Sequence, residues 1–296
     1  MAQTVYPKKI LIIKPSSLGD IVHSLPVLYV LYHCFPGAEI HWLVAKGFDG
    51  LLEGHPMLKK IWTIQKDEWK KIARAQTTIV ELRRLFKDLR AERFDYVVDL
   101  QGLLRSGIIT KATGAPVRIG FKEAREGSTL FYTHRVEGGE DIHAVDRYLK
   151  VTAFLGCNVD EVRFPFPPAE DSRFPDIPEK GGYAVLVPGA RKPVNRWPAK
   201  RFGKLASRLP IRTVVIGSKG DRMLAEEVVK ASQGNAVSLA GKTGLKGLIE
   251  IIRGSRFMVS NDTGPMHVAA ALNIPVFALF GPANPARTGP YGKIHT

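Results

Sequence analysis

Short apolar runs alternate with amphipathic stretches along almost the whole chain. Residues 8–14 carry the run Ile10-Leu11-Ile12-Ile13 and read as a strand buried on both faces. Residues 20–34 follow with Leu25, Leu28, Leu31 and Tyr32 spaced for one apolar face of a helix, which Pro36-Gly37 ends. Strands are expected at 38–45 and 60–64, a long amphipathic helix at 68–92, and further strands at 96–100 and 117–121. The pattern breaks at 158–182, where Pro165, Pro167, Pro168, Pro175 and Pro178 fall in a polar stretch that reads as a linker. Alternation then restarts with a strand at 183–187 and a helix at 198–209, for which Pro198 suits the first turn. Strands at 213–216, 236–239, 257–260 and 275–280 follow, with helices between them. Strand–helix alternation of this kind predicts α/β architecture with two doubly wound parallel sheets. We expect one domain over 1–160, a proline-rich linker over 161–180 and a second domain over 181–296. The last residues, 291–296, stop without a closing helix, so the second domain reads as truncated at its C-terminus.

Length agrees with two domains, because single cores stop growing near ~250 residues and the chain has 296. At 45% hydrophobic and 24% charged, the composition is that of a globular protein. No apolar run reaches the ~20 residues that span a bilayer, and the first nine residues lack a signal peptide's apolar segment. Cys34 and Cys157 lie far apart in sequence with no metal or redox spacing, so a reduced, cytoplasmic protein is expected. The net charge of +15 calls for an anionic partner: nucleic acid, an anionic membrane surface or a phosphorylated substrate. Arg83, Arg84, Lys87, Arg90 and Arg93 are interleaved with Glu81, Asp88 and Glu92, which suits a solvated helix face. Lys66, Lys70, Lys71 and Arg74 surround Trp69, a mixture that fits either such a face or an interfacial anionic surface.

Two motifs occupy matching places in the two halves. Ser16-Ser17-Leu18-Gly19-Asp20 follows the first strand, and Asn261-Asp262-Thr263-Gly264-Pro265-Met266-His267 follows the run Phe257-Met258-Val259. Each sets a carboxylate where a buried strand gives way to a helix, and ligands of open α/β sheets bind at the carboxyl ends of strands. Two such ends facing a cleft would hold a nucleophile on one side and an anionic leaving group on the other. Asp20 reads equally as an N-cap or as a general base kept ionised by the helix start. Thr263 and Gly264 would offer backbone N–H groups to an anion, with His267 one turn on along the same face. The loop from Gly189 to Trp197 brings Arg191, Lys192 and Arg196 to the first strand end of the second half. There is no Gly-x-Gly-x-x-Gly after the first strand. A P-loop fails because Ala236 stands where its first glycine is required. No Asp-x-Asp pair is present to carry a divalent metal.

These residues resemble the lipopolysaccharide heptosyltransferase family, glycosyltransferase family 9. The resemblance runs through Lys14-Pro15-Ser16-Ser17-Leu18-Gly19-Asp20-Ile21-Val22-His23 and Asp99-Leu100-Gln101-Gly102-Leu103. It continues through Ala124-Arg125-Glu126-Gly127-Ser128, Phe131-Tyr132, His143-Ala144-Val145-Asp146-Arg147 and Arg196-Trp197-Pro198. The segments from Asn261 to His267, Phe280-Gly281-Pro282 and Arg287 to Gly292 complete it. The Ala-Arg-Glu, His-Ala-Val-Asp-Arg and Arg-Thr-Gly-Pro-Tyr-Gly segments are most similar to the branch that adds the first heptose to Kdo-lipid A.

The resemblance implies a GT-B fold, an ADP-heptose donor, inversion at the anomeric carbon and no metal or other cofactor. It implies Asp20 as catalytic base, Asp262, Thr263, Gly264 and His267 at the donor, Asp221 toward the ribose hydroxyls, and Arg125 on the acceptor side. Lys192, Asn195 and Arg196 are the remaining donor candidates; Asn195 stands where the family often has lysine, so Lys192 or Arg196 is expected to meet the diphosphate. Ser17, Gly19, Lys70, Lys71 and Arg74 complete the acceptor candidates. The expected partners are ADP-heptose, an anionic lipid A type acceptor and the cytoplasmic face of the inner membrane, touched peripherally by a monomer. Rival readings are a nucleotide-sugar epimerase of the same fold and a non-enzymatic nucleic-acid binder. The second lacks any recognition-helix or RNA-binding motif, so no nucleic-acid partner is expected.

Overall fold

The computed structural model describes residues 6–65, 75–169 and 174–296. The chain divides into two compact units, Met1–Pro167 and Pro168–Thr296.

In the first unit the strands are β1 (Lys9–Ile13), β2 (Glu39–Ala45), β3 (Lys60–Ile64), β4 (Tyr96–Asp99), β5 (Val117–Phe121) and β6 (His134–Val136). The helices are α1 (Leu18–Cys34), α2 (Ala75–Ala91), α3 (Leu104–Ala112) and α4 (Ala144–Phe154). The sheet is parallel throughout, in the order β3-β2-β1-β4-β5-β6. Winding therefore reverses between β1 and β4, which opens a crevice at their carboxyl ends. On β1, Leu11 and Ile13 enter a core with Leu43, Trp62, Ile64, Val97 and Ile109, and Ile10 and Ile12 are buried on the other face. Full burial of each such side chain contributes about 1.5–3 kcal/mol, so a strand of this composition is held centrally.

The second unit repeats the plan. Its strands are β7 (Tyr183–Val187), β8 (Arg212–Val215), β9 (Ala236–Ser238), β10 (Phe257–Asn261) and β11 (Val276–Leu279). Its helices are α5 (Ala199–Ala206), α6 (Arg222–Ala231), α7 (Leu245–Arg253), α8 (Gly264–Ala271) and α9 (Pro285–Thr288). The parallel order β11-β10-β7-β8-β9 puts the reversal between β7 and β10.

Several expectations are corrected. Strand β6 escaped the sequence reading because three residues at a sheet edge carry too little pattern. Helix α1 is buried around most of its circumference, with Val22, His23, Ser24 and Val27 enclosed as well as Leu25, Leu28 and Leu31. Tyr32, expected on its apolar face, is exposed instead. The cysteines expected to be unpaired are joined: Cys34 ends α1, Cys157 follows α4, and a disulfide links them across 123 residues of sequence. Helix packing brings together what sequence separation hides. The charged face of α2 is as expected, with Arg83, Arg84, Lys87 and Arg90 exposed, as is Arg93 just past its end. Glu92, beyond its end, bonds Lys9 and Lys60 at 2.9 Å each. Parts of the proline-rich stretch are packed on their own units: the Pro165 carbonyl lies 3.2 Å from His55 Nε2, and the Phe174 ring lies over Gly247. Among the described residues, no helix is long and apolar enough to cross a membrane.

Helices α5 and α6 approach closely because α5 presents Gly203. A Cβ there would meet the Ala231 methyl and come within 2.6 Å of the Val228 carbonyl oxygen. In a free helix, replacing glycine by alanine gains about 0.5–1 kcal/mol. Here overpacking against backbone, about 1–3 kcal/mol, outweighs that gain. Gly203→Ala is therefore expected to destabilise the protein by about 1–2 kcal/mol, read as a lower urea midpoint at unchanged slope; a raised midpoint would show that α6 yields freely.

Candidate functional site

In the first unit, the loop after β1 and the first turn of α1 build a carboxylate site. Ser17 is the N-cap of α1 and Asp20 its third helical residue. Of the two readings left open for Asp20, that of N-cap is corrected, because the chain enters the helix two residues before it. Asp20 Oδ2 accepts the Ser17 amide at 2.9 Å and the Ser17 hydroxyl at 2.7 Å, the reciprocal arm of a capping box. Asp20 Oδ1 accepts the Tyr148 hydroxyl of α4 at 3.3 Å and lies 3.9 Å from Lys14 Nζ. The Asp20 side chain is 41% exposed, so a ligand can reach it, whereas that of Lys14 is 3% exposed. Burial acts to raise the Asp20 pKa, but the Lys14 ammonium and the two Ser17 hydrogen bonds outweigh it. The carboxyl is thus held well below the usual carboxylate range. Capping and chemistry are compatible here, since the cap bonds engage one oxygen and leave the other nearly open.

Around this carboxylate stand the ends of β4 and β5. Asp99 is fully buried, and its Oδ1 accepts the Gln101 and Gly102 amides at 2.8 and 3.1 Å. Its Oδ2 accepts the Tyr132 hydroxyl at 2.7 Å. Gly102 is left-handed (φ +64°), a Cβ there would come within 3.2 Å of the Ala124 methyl, and the Arg125 amide donates to its carbonyl at 2.8 Å. The Arg125 side chain is exposed beside this loop. Ser17 is half-buried and committed to Asp20, while Gly19 is buried inside α1 and so offers a ligand little surface. Lys70, Lys71 and Arg74, like Lys66 and Trp69, lie outside the described residues.

In the second unit, the donor candidates gather at the ends of β7, β8, β10 and β11. Asn261, wholly buried at the end of β10, donates to the Pro188 carbonyl at 2.8 Å and accepts the Trp197 amide at 3.0 Å. It thereby clamps both ends of the basic loop. Asn195 Nδ2 reaches Asp262 at 3.2 Å, and Gly281 lets the β11 end pass under the loop, where a Cβ would meet the Val194 carbonyl at 2.8 Å. Burial raises the Asp262 pKa above the ordinary value. Arg196 braces its own loop through the Ala190 carbonyl at 2.7 Å, while Arg191 and Lys192 are exposed at the loop surface. Asp221 bonds the Ser218 amide and hydroxyl at 2.8 and 2.6 Å and lies against Gly189 and Gly217, where any Cβ would collide with it. Thr263 is the N-cap of α8 in extended conformation without a side-chain cap bond, and Gly264 opens the helix. Such a start favours an anion. His267 is only 8% exposed, so most of its ring belongs to the packing beneath that start.

Among the described residues, no three His, Cys, Asp or Glu side chains converge on a point suited to a metal. The residues missed by sequence reasoning are Lys14, Tyr148 and Asn261 as site builders. A lysine directly after four apolar strand positions was the available signal for the first. Nothing local marks Tyr148, which acts from 128 residues away.

The sequence profile of glycosyltransferase family 9 (heptosyltransferase) matches residues 82–296. The chain belongs to this family. It is a glycosyltransferase with the GT-B fold. It is 30% identical to lipopolysaccharide heptosyltransferase 1 of Pseudomonas aeruginosa over 96% of this chain and 82% of that protein. The structure is similar to that of the E. coli heptosyltransferase WaaC with ADP, at a TM-score of 0.84 and 26% identity, covering 97% of this chain and 92% of the other. WaaC with ADP-2-deoxy-2-fluoro heptose gives a TM-score of 0.80 at the same identity and coverage.

Asn261→Ala removes both bonds that hold the basic loop. Each bond so broken costs about 1–3 kcal/mol, so a loss of about 2–6 kcal/mol in urea unfolding is expected. An unchanged midpoint would show that the loop is held by other contacts.

Proposed function

We propose that this enzyme transfers L-glycero-D-manno-heptose from ADP-heptose to a Kdo residue of Kdo-lipid A, with inversion, in lipopolysaccharide inner-core assembly. Heptosyl transfer in lipopolysaccharide core synthesis is the activity that family membership supports. The choice of donor and acceptor rests on the resemblance, and the observation that supports a displacement by an activated hydroxyl is the partly open, ionised Asp20 carboxylate after β1, on a crevice where winding reverses. Asp20 accepts the proton of an acceptor hydroxyl. The oxygen forms a bond to the heptose anomeric carbon as the bond from that carbon to the ADP oxygen breaks. A single displacement inverts the carbon. A carboxylate with so low a pKa is a weak base, which suits proton transfer late in the reaction.

On the donor side, the start of α8 at Thr263 and Gly264 and the cations of the Gly189–Trp197 loop meet the charge that grows on the diphosphate. Because Arg196 Nε is engaged by its own loop, we assign the larger share of that contact to the exposed Lys192. Asp262 and Asn195, with His267 one turn into α8, are assigned to the same donor site, and Asp221 is assigned to the ribose. Arg125, with Ser17, Lys70, Lys71 and Arg74, is assigned to the anionic acceptor, and basic residues of this kind suit peripheral contact with an anionic leaflet. The enzyme is assigned as a monomer at the cytoplasmic face of the inner membrane that needs no metal; that placement rests on the resemblance and not on the cysteines, which are paired.

Two experiments test the reading. Incubation with ADP-heptose and Kdo-lipid A should give the singly heptosylated product by mass, and Asp20→Asn should lower turnover by about 100-fold or more with ADP binding kept. Isomerised donor without acceptor would instead indicate an epimerase, and near-normal turnover of Asp20→Asn would leave that residue only the capping-box partner of Ser17. Separately, activity is expected to persist in excess EDTA. Its loss there and recovery with Mg²⁺ or Mn²⁺ would refute neutralisation of the diphosphate by protein groups alone.

A further inference from the structure

Lys14 follows β1 directly, and its ammonium is enclosed where an apolar side chain would be the cheaper occupant. Its Nζ donates to the Leu100 carbonyl at 3.0 Å and to the Tyr148 hydroxyl at 2.8 Å, and the Asp20 carboxylate lies 3.9 Å away. An ammonium has no lone pair, so Tyr148 must accept from it. The phenol proton is therefore left to point at Asp20 Oδ1, 3.3 Å away. The two oxygens of Asp20 are unequal: Oδ2 takes two short bonds from Ser17, whereas Oδ1 takes this single long one. We propose that Lys14 and Tyr148 are positioning residues of the transfer, which together orient the Asp20 carboxylate so that Oδ1 takes the proton of the acceptor hydroxyl. The proposal rests on the reading of Asp20 as base. Lys14 itself is too deeply enclosed to touch a substrate, so its effect passes through Tyr148 and through its charge.

The surrounding charges act in the same sense. Burial works against the Lys14 ammonium, but Tyr148, Asp20 and Asp99 outweigh it and hold its pKa above the ordinary value. Burial likewise raises the Tyr148 pKa, so the phenol keeps its proton. Among the described residues, His23 on α1, which favours the ionised Asp20, and Arg147 on α4 also face the cluster. His143, at the start of α4, has its ring 5.1 Å from that of His23. Asp20 thus has a depressed pKa in the folded protein, so it is ionised at neutral pH and becomes protonated only as pH falls through that low value. Removing the ammonium moves that transition upward.

Lys14→Met and Tyr148→Phe test this in the full chain, with Asp20→Asn as reference. The 13Cγ signal of Asp20, identified by its absence in Asp20→Asn, is titrated in each variant. The pH profile of kcat/KM is measured with ADP-heptose and Kdo-lipid A, and folding is checked by thermal unfolding. We expect Lys14→Met to raise the Asp20 transition and the acid limb of kcat/KM together by about 1–3 pH units. Tyr148→Phe should move both in the same direction by less, and the KM for ADP-heptose should be unchanged in both. Folded variants whose Asp20 signal and acid limb titrate as in the wild type would overturn the proposal, whatever their loss of rate. In that case a large loss in Asp20→Asn would leave the base assignment standing. Near-normal turnover in Asp20→Asn would instead overturn both. Should Lys14→Met fail to fold, the shift in Tyr148→Phe decides.

Discussion

Both units are governed by the constraint that a parallel sheet covered on both faces has no polar face. Ile10 to Ile13 and Ala184 to Val187 are buried on every side, so the central strands leave charged groups to gather where they end. In each unit the winding reverses beside the first strand, and there the two departing helices leave a gap at the carboxyl ends. Asp20 stands at one such point, and Asn261 to Gly264 at the other. The site follows from the sheet order rather than from any one motif.

Within that constraint, each unit uses buried polar groups to shape its loops. Asp99 gathers two backbone amides and the Tyr132 hydroxyl, so the turn after β4 is fixed from below. Asn261 does the same for the basic loop of the second unit. Such groups are costly to bury unless satisfied, and satisfied they hold one conformation. Lys14 differs because its third N–H faces a carboxylate that is open to ligand. The first unit thus places a permanent positive charge behind its candidate base, and the second places a helix start and exposed cations before its candidate anion site.

Much of this was legible in the chain. Alternating runs marked the strands from β1 to β5 and from β7 to β11 with boundaries close to those observed, most sharply for β1, β4 and β7, whose near-continuous apolar runs reflect burial on both faces. The motif positions of Asp20, Asp262 and Thr263 at strand ends were also legible, since glycine and small polar residues mark where a strand turns into a helix. The edge strand β6 was not, being three residues long. Neither was the engagement of Arg196 by its own loop, because a cation in a sequence does not reveal whether it faces a carbonyl or a ligand.

The order of the amino acids was enough for the kind of fold, the two-unit plan, the family and the carboxylate at the first strand end. These rest on local periodicity and on motifs whose residues are neighbours along the chain. It took the folded arrangement to show that Cys34 meets Cys157, that Ser17 rather than Asp20 caps α1, and that Tyr148 reaches Asp20 across 128 residues. The first and last depend on the packing of α4 against α1, and the distance between two side chains on separate helices is set by the core between and around them, which no local pattern encodes. The second depends on where the chain leaves β1 and begins to wind, a choice between adjacent residues that Ser16-Ser17-Leu18-Gly19-Asp20 leaves open until the Asp20 carboxylate has found the Ser17 amide.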